Sequence, residues 1–173
     1  MTLLEKFSRI KVFAFDVDGV LTDGNLYLAE NGEQLRRMNI KDGFALQLAI
    51  KKGYRIVIIS GSYSEPSISR LSKLGIADIY MRITDKAACL QNYLAENNLV
   101  MSDVLFMGDD IPDYPVMTKV GIAACPKDAA GEIRNCSQYI SRFNGGEGCV
   151  RDVIEKVLKL NQHWELQTNI PSR

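Results

Sequence analysis

Histidine is almost absent from this 173-residue chain: His163 is the only one, and it stands near the end. That excludes a Ser–His triad and any metal site built from several histidines. The four cysteines, Cys89, Cys125, Cys136 and Cys149, form no CxxC pair, so neither a structural zinc site nor a disulfide framework is expected, and a reducing compartment fits them. Net charge is missing too. Twenty-one basic residues balance twenty-one acidic ones, so no overall field draws the chain to nucleic acid or an anionic membrane. Any recognition of a charged ligand must therefore be local. No apolar stretch is long enough to span a bilayer, and residues 1–9 carry charges every few positions without an apolar targeting core. These absences predict a cytoplasmic protein with no membrane or nucleic-acid partner.

What is present is 46% hydrophobic residues, enough for one core, and the whole of 1–173 is read as a single domain. Residues 10–15 (IKVFAF) form a short apolar run that reads as a buried strand ending at Asp16. Residues 24–39 read as a projecting β-hairpin, with extended stretches at 25–29 and 34–39 around the Asn31-Gly32 turn. Asp42 is expected to cap a helix running to Lys52, and residues 55–59 (RIVII) to form a strand delivering Ser60 and Gly61. A helix over 64–74, a strand near Ile79, a helix opened by Thr84 and Asp85 that carries Lys86, and a strand at 104–107 follow. Further alternation leads through a helix near Val116, a strand at 121–124, a helix near 129–134 and a strand at Tyr139 to a last helix at 150–160, with a loose tail over 162–173. The fold class is α/β: a doubly wound, mostly parallel Rossmann-like sheet with helices on both faces, binding ligands at the carboxyl ends of its strands.

Polar residues follow these strands in a telling order. Asp16 and Asp18 sit one residue apart just beyond the first strand, Ser60-Gly61 beyond the next, Lys86 at a helix start, and Gly108-Asp109-Asp110-Ile111-Pro112-Asp113 beyond a later strand. In isolation Asp-x-Asp-Gly also fits a solvated turn, Ser60 a strand-end hydroxyl and Lys86 an exposed helix charge. Together they resemble the four motifs of the haloacid dehalogenase superfamily, in order, across roughly residues 10–125. A carboxylate attacking a phosphate monoester meets like charge, so a metal and a lysine must neutralise both, and Mg²⁺ suits an all-oxygen site. The resemblance implies Asp16 as nucleophile and Asp18 as general acid and base. It implies Mg²⁺ on the Asp16 side chain, the Asp18 carbonyl and the Asp109 side chain, and phosphoryl oxygens on Ser60, Gly61 and Lys86. Asp113 and Asp110 would orient the lysine or the metal's waters from behind.

No stretch has room for a cap domain, so the site is expected to be open in a monomer. Residues 16–24 (DVDGVLTDG), 39–43 (NIKDG), 108–113 (GDDIPD) and 145–148 (GGEG), with Val150, Arg151 and Asp152, resemble the capless phosphatases of 3-deoxy-D-manno-octulosonate 8-phosphate. That implies a small sugar-acid phosphate substrate, a role in lipopolysaccharide synthesis, and a homotetramer in which the hairpin and the C-terminal segment approach neighbouring active sites. Carried over by position, Asn39, Ile40, Lys41, Asp42 and Gly43 would line the sugar site and Arg70 would meet the substrate carboxylate. Ser62 and Gln47 stand where arginine is common, so anion recognition is expected to be rearranged around them. Phosphatases of 2-keto-3-deoxy-nononate 9-phosphate are the alternative, and Ser62 matches neither pattern. A non-catalytic partner of a cytidylyltransferase is the reading of a different class, and a capless phosphatase for protein or nucleic-acid ends is a third. The intact acidic and lysine set opposes the former, and the lack of a basic stripe disfavours nucleic acid.

Overall fold

Strand β1 (Val12–Phe15) is buried at every position because it runs through the middle of a sheet covered on both sides. The computed structural model describes residues 1–166 and 169–171. Six parallel strands are ordered β5-β4-β1-β6-β7-β8. They are β1, β4 (Arg55–Ile59), β5 (Asp78–Tyr80), β6 (Val104–Met107), β7 (Ile122–Cys125) and β8 (Tyr139–Ile140). The chain winds outward from β1 through β4 to β5, then returns to the other side of β1 with β6. Strand order thus reverses around β1, where an open α/β sheet presents a crevice at its carboxyl edge.

Alternation along each strand builds two cores. Phe13, Phe15, Ile56, Ile58, Leu105 and Met107 face one layer, formed by α1 (Leu3–Ser8), α2 (Ile40–Lys51), α3 (Glu65–Lys73) and α7 (Cys149–Leu160). Val12, Ala14, Val57, Ile59, Val104 and Phe106 face the other, formed by α4 (Lys86–Glu96), α5 (Tyr114–Met117) and α6 (Gly131–Cys136). This is the doubly wound architecture that the sequence predicts. Among the described residues no helix is long and apolar enough to cross a membrane.

The hairpin is present, but its ladder is short. Only β2 (Tyr27–Leu28) and β3 (Gln34–Leu35) pair. The turn is closed by Gly32 N–H on the Ala29 carbonyl (2.9 Å), with Gly32 left-handed at φ +85°. Beyond Leu35 the segment leaves the ladder because Arg36 and Arg37 form ion pairs with Asp18 and Asp23 instead. The tail also differs from expectation. Trp164 and Ile170 pack against the core, and Gln47 Nε2 donates to the Pro171 carbonyl at 3.1 Å. The rest of the loose tail expected over 162–173, at 167–168 and 172–173, lies outside the described residues.

Helix α2 corrects another expectation. Its cap is Asn39, whose side chain accepts from Lys41 N–H at 2.8 Å, so the helix begins before Asp42. Asp42 is already inside the first turn and points into the protein. There its Oδ1 accepts from Arg151 N–H (2.8 Å) at the start of α7, while the buried Oδ2 has no hydrogen-bond partner. Burial pushes the Asp42 carboxyl up to about 6, opposed by the Arg151 and Gly148 N–H groups. A folded value above the unfolded one means this contribution to stability is complete below about pH 4 and lost as pH rises through about 6. Asp42→Asn keeps an acceptor and removes the charge. Its stability relative to the wild type is therefore expected to improve from about pH 4 to about pH 7, by at most about 3 kcal/mol. Thermal unfolding of both proteins at the two pH values checks this, and an unchanged difference contradicts it.

Candidate active site

Asp16 leaves β1 at the carboxyl edge, with its N–H bonded to the Met107 carbonyl of β6. Its Oδ1 accepts from Val17 N–H at 2.7 Å and meets Lys86 Nζ at 3.0 Å. Lys86 is the first residue of α4, capped by Asp85, and is 4% exposed. It also contacts Asp113 Oδ1 at 2.6 Å. The second oxygen of Asp113 accepts from the N–H groups of Asp109 (3.0 Å) and Asp110 (3.4 Å), so this carboxylate ties the loop after β6 to the lysine. Both oxygens of Asp113 are thereby engaged.

The turn after Asp16 is wide, with Gly19 left-handed at φ +84°. Any Cβ at Gly19 would overlap the Asp109 carboxylate, so only glycine lets the two loops approach. Gly145 and Gly146 press against the Gly19 carbonyl and Thr22 in the same way. The glycine cluster before α7 is thus a packed buttress beneath the Asp16 turn rather than a free hinge.

Asp16, Asp18, Ser60, Gly61, Ser62, Lys86, Asp109, Asp110 and Asp113 line one open cleft of about 480 Å³. Within it, carboxylate oxygens of Asp16, Asp109 and Asp113 all lie within 4.8 Å of one another. Three carboxylates face one lysine there, so negative charge is in excess. Burial first, then Asp113, pushes Asp16 up to about 7 against the pull of Lys86. Burial first, then Asp16 and Asp113, pushes Asp109 up to about 8. For Lys86, burial works against its charge, and Asp16 and Asp113 overcome it, so its pKa is raised. An all-oxygen donor set short of positive charge fits a hard divalent cation such as Mg²⁺.

The residues expected around a sugar are placed elsewhere in this chain. Asn39 and Lys41 line a second, larger cleft of about 760 Å³ beside α7, together with Arg142, Glu147 and Arg151. Asp16, Asp109 and Asp113 are not part of its lining. Ile40 is 72% exposed, Asp42 is buried under α7, and Gln47 is tied to the tail. Gly43 is buried beneath the Arg70 guanidinium, which a Cβ at position 43 would crowd at 2.8 Å. Within one chain, none of these residues lines the Asp16 cleft. Sequence reasoning also missed Arg36, whose Nε lies 2.7 Å from Asp18 Oδ1. The available signal was the adjacent Arg36-Arg37 pair in extended chain, where successive side chains point opposite ways.

The haloacid dehalogenase-like hydrolase family matches residues 63–154. The 3-deoxy-D-manno-octulosonate 8-phosphate phosphatase of Escherichia coli strain K12 is 33% identical over 156 residues, covering 90% of this chain and 83% of its own. The crystal structure of the Yersinia pestis phosphatase of that name superposes with a TM-score of 0.90 at 30% identity, covering 93% of this chain and 87% of its own. The Moraxella catarrhalis phosphatase, solved with magnesium, phosphate and the sugar acid, gives a TM-score of 0.88 at 32% identity over 91% of this chain and 90% of its own. With the family's matched region covering Lys86, Asp109 and Asp113, this chain belongs to the haloacid dehalogenase-like hydrolases.

Proposed function

We propose that the chain is a magnesium-dependent phosphatase that hydrolyses 3-deoxy-D-manno-octulosonate 8-phosphate through a phosphoryl group held on Asp16. The observation that carries this reading is the convergence of Asp16, Asp18, Lys86 and Asp109 in one cleft at the sheet's carboxyl edge. Lys86 and Val17 N–H hold Asp16 Oδ1, which leaves Oδ2 to attack phosphorus. As the new oxygen–phosphorus bond forms, the bond to the sugar oxygen breaks and Asp18 gives that oxygen its proton. The Asp18 carboxylate then takes a proton from a water, whose oxygen attacks phosphorus and releases the Asp16 carboxylate and free phosphate. Ser60, the Gly61 N–H and Lys86 stabilise the phosphoryl oxygens, and Asp113 keeps Lys86 in place. Asp16, the Asp18 carbonyl and Asp109 would hold Mg²⁺, which when bound supplies positive charge that lowers the repulsion between carboxylate and phosphate.

The named relatives support the substrate, and a role in lipopolysaccharide synthesis in the cytoplasm is proposed with it. The hairpin exposes Tyr27, Leu28 and Leu35, which favours assembly into a homotetramer where neighbours complete the sugar site. Light scattering tests this, and a monomer rejects it. The substrate test is phosphate release with Mg²⁺ from the octulosonate 8-phosphate, the nononate 9-phosphate and hexose phosphates. The expected result is a kcat/KM for the octulosonate at least about tenfold above the others. Equal values reject the substrate, and no Mg²⁺-dependent release from any of them rejects the phosphatase.

A further inference from the structure

Asp18 is held from two sides by groups that its role alone does not require. Arg36 Nε meets its Oδ1 at 2.7 Å, and the Ser62 hydroxyl donates to its Oδ2 at 2.7 Å. Ser62 is itself fixed, its N–H donating to Ser60 Oγ at 3.2 Å, with the two hydroxyls 3.1 Å apart. The Asp18 side chain is 36% exposed, whereas that of Arg36 is only 8% exposed. The carboxylate therefore sits where solvent would let it turn freely, and the buried guanidinium is the more rigid partner.

Arg36 is delivered by the root of the hairpin, which is stitched to the domain. Met38 bridges to Thr22, and Arg37 pairs outward with Asp23 at 3.0 Å and Glu147 at 3.4 Å. With Arg37 fixed outward in extended chain, Arg36 is directed inward to Asp18.

The geometry points to Arg36 as a positioning residue for the reaction: with Ser62 it fixes both oxygens of Asp18, so that this carboxylate is oriented when it takes the proton from the attacking water. This rests on the phosphatase reading above. Small displacements of a catalytic group cost large factors in rate, so loss of the guanidinium slows the step that uses Asp18 as base.

The test follows a single turnover of p-nitrophenyl phosphate with Mg²⁺, recording nitrophenol release and free phosphate separately for the wild type, Arg36→Ala and Arg36→Lys. A nitrophenolate leaves without a proton, so its release tracks transfer to Asp16, and the later appearance of phosphate tracks hydrolysis. Arg36→Ala is expected to keep nitrophenol release within about twofold while slowing phosphate release about tenfold or more, with Arg36→Lys recovering most of the loss. Equal slowing of both steps overturns the inference, since it marks a phosphate-binding or folding role. Two unchanged steps overturn it as well. A wild type that releases phosphate neither from p-nitrophenyl phosphate nor from the octulosonate 8-phosphate overturns the phosphatase reading itself, which separates the two failures.

Discussion

Asp16→Asn is expected to lower phosphate release at least about 10⁴-fold while leaving the protein folded. The amide keeps the size and shape of the carboxylate but is a poor nucleophile, so no phosphoryl group passes to position 16. The fold survives because Lys86 retains Asp113 at 2.6 Å. Burial already works against the Asp16 charge, so a neutral group there removes a cost along with an ion pair. Turnover under Mg²⁺ and a thermal unfolding curve are both needed. Loss of activity with Tm retained supports the role, whereas activity within tenfold of the wild type removes Asp16 from the mechanism.

Lys86→Met is expected to damage stability and activity together. Among the described residues, Lys86 is the one cation that lines the cleft with Asp16, Asp109 and Asp113, and methionine keeps its length without its charge. Removing one partner of a buried pair leaves the carboxylates uncompensated, at roughly 3–5 kcal/mol. Chemistry loses a donor to the phosphoryl oxygens, worth about 10²- to 10³-fold in kcat. Because the deficit is one of positive charge, Mg²⁺ is expected to restore more stability to this variant than it adds to the wild type. Urea unfolding with and without Mg²⁺ measures the difference. An unaltered midpoint together with near-normal kcat means that Lys86 only fills space.

The parts of the site that were legible in the sequence share one cause. Buried parallel strands are short apolar runs, and the polar residue that ends each run lies at the ligand edge. That is why Asp16, Ser60 and Asp109 could be placed from β1, β4 and β6 alone. Lys86 was found in the same manner, as the residue that opens a helix next to Asp85. Contacts between distant segments carry no such local signature. Asp42 looks like a helix cap because its spacing fits one, yet it serves the start of α7 across 109 residues of chain. The hairpin was visible from Asn31-Gly32, but nothing in its pattern tells that Arg36 turns back onto Asp18. The sugar residues carry no such local signature either: Asn39, Lys41 and Gln47 are near one another in sequence, while within one chain the fold places them at a second cleft and at the tail contact.

The central claim is that the phosphoryl group rests on Asp16, and the most direct test is to trap it. Wild-type protein with Mg²⁺ and substrate is quenched in acid during turnover, reduced with borohydride and digested, and the peptide holding position 16 is analysed by mass spectrometry. An aspartyl-phosphate at that position is reduced to homoserine, and the account predicts homoserine at position 16 in the wild type and none in Asp16→Asn. Homoserine at any other carboxylate, or its absence under conditions where phosphate is being released, would contradict it.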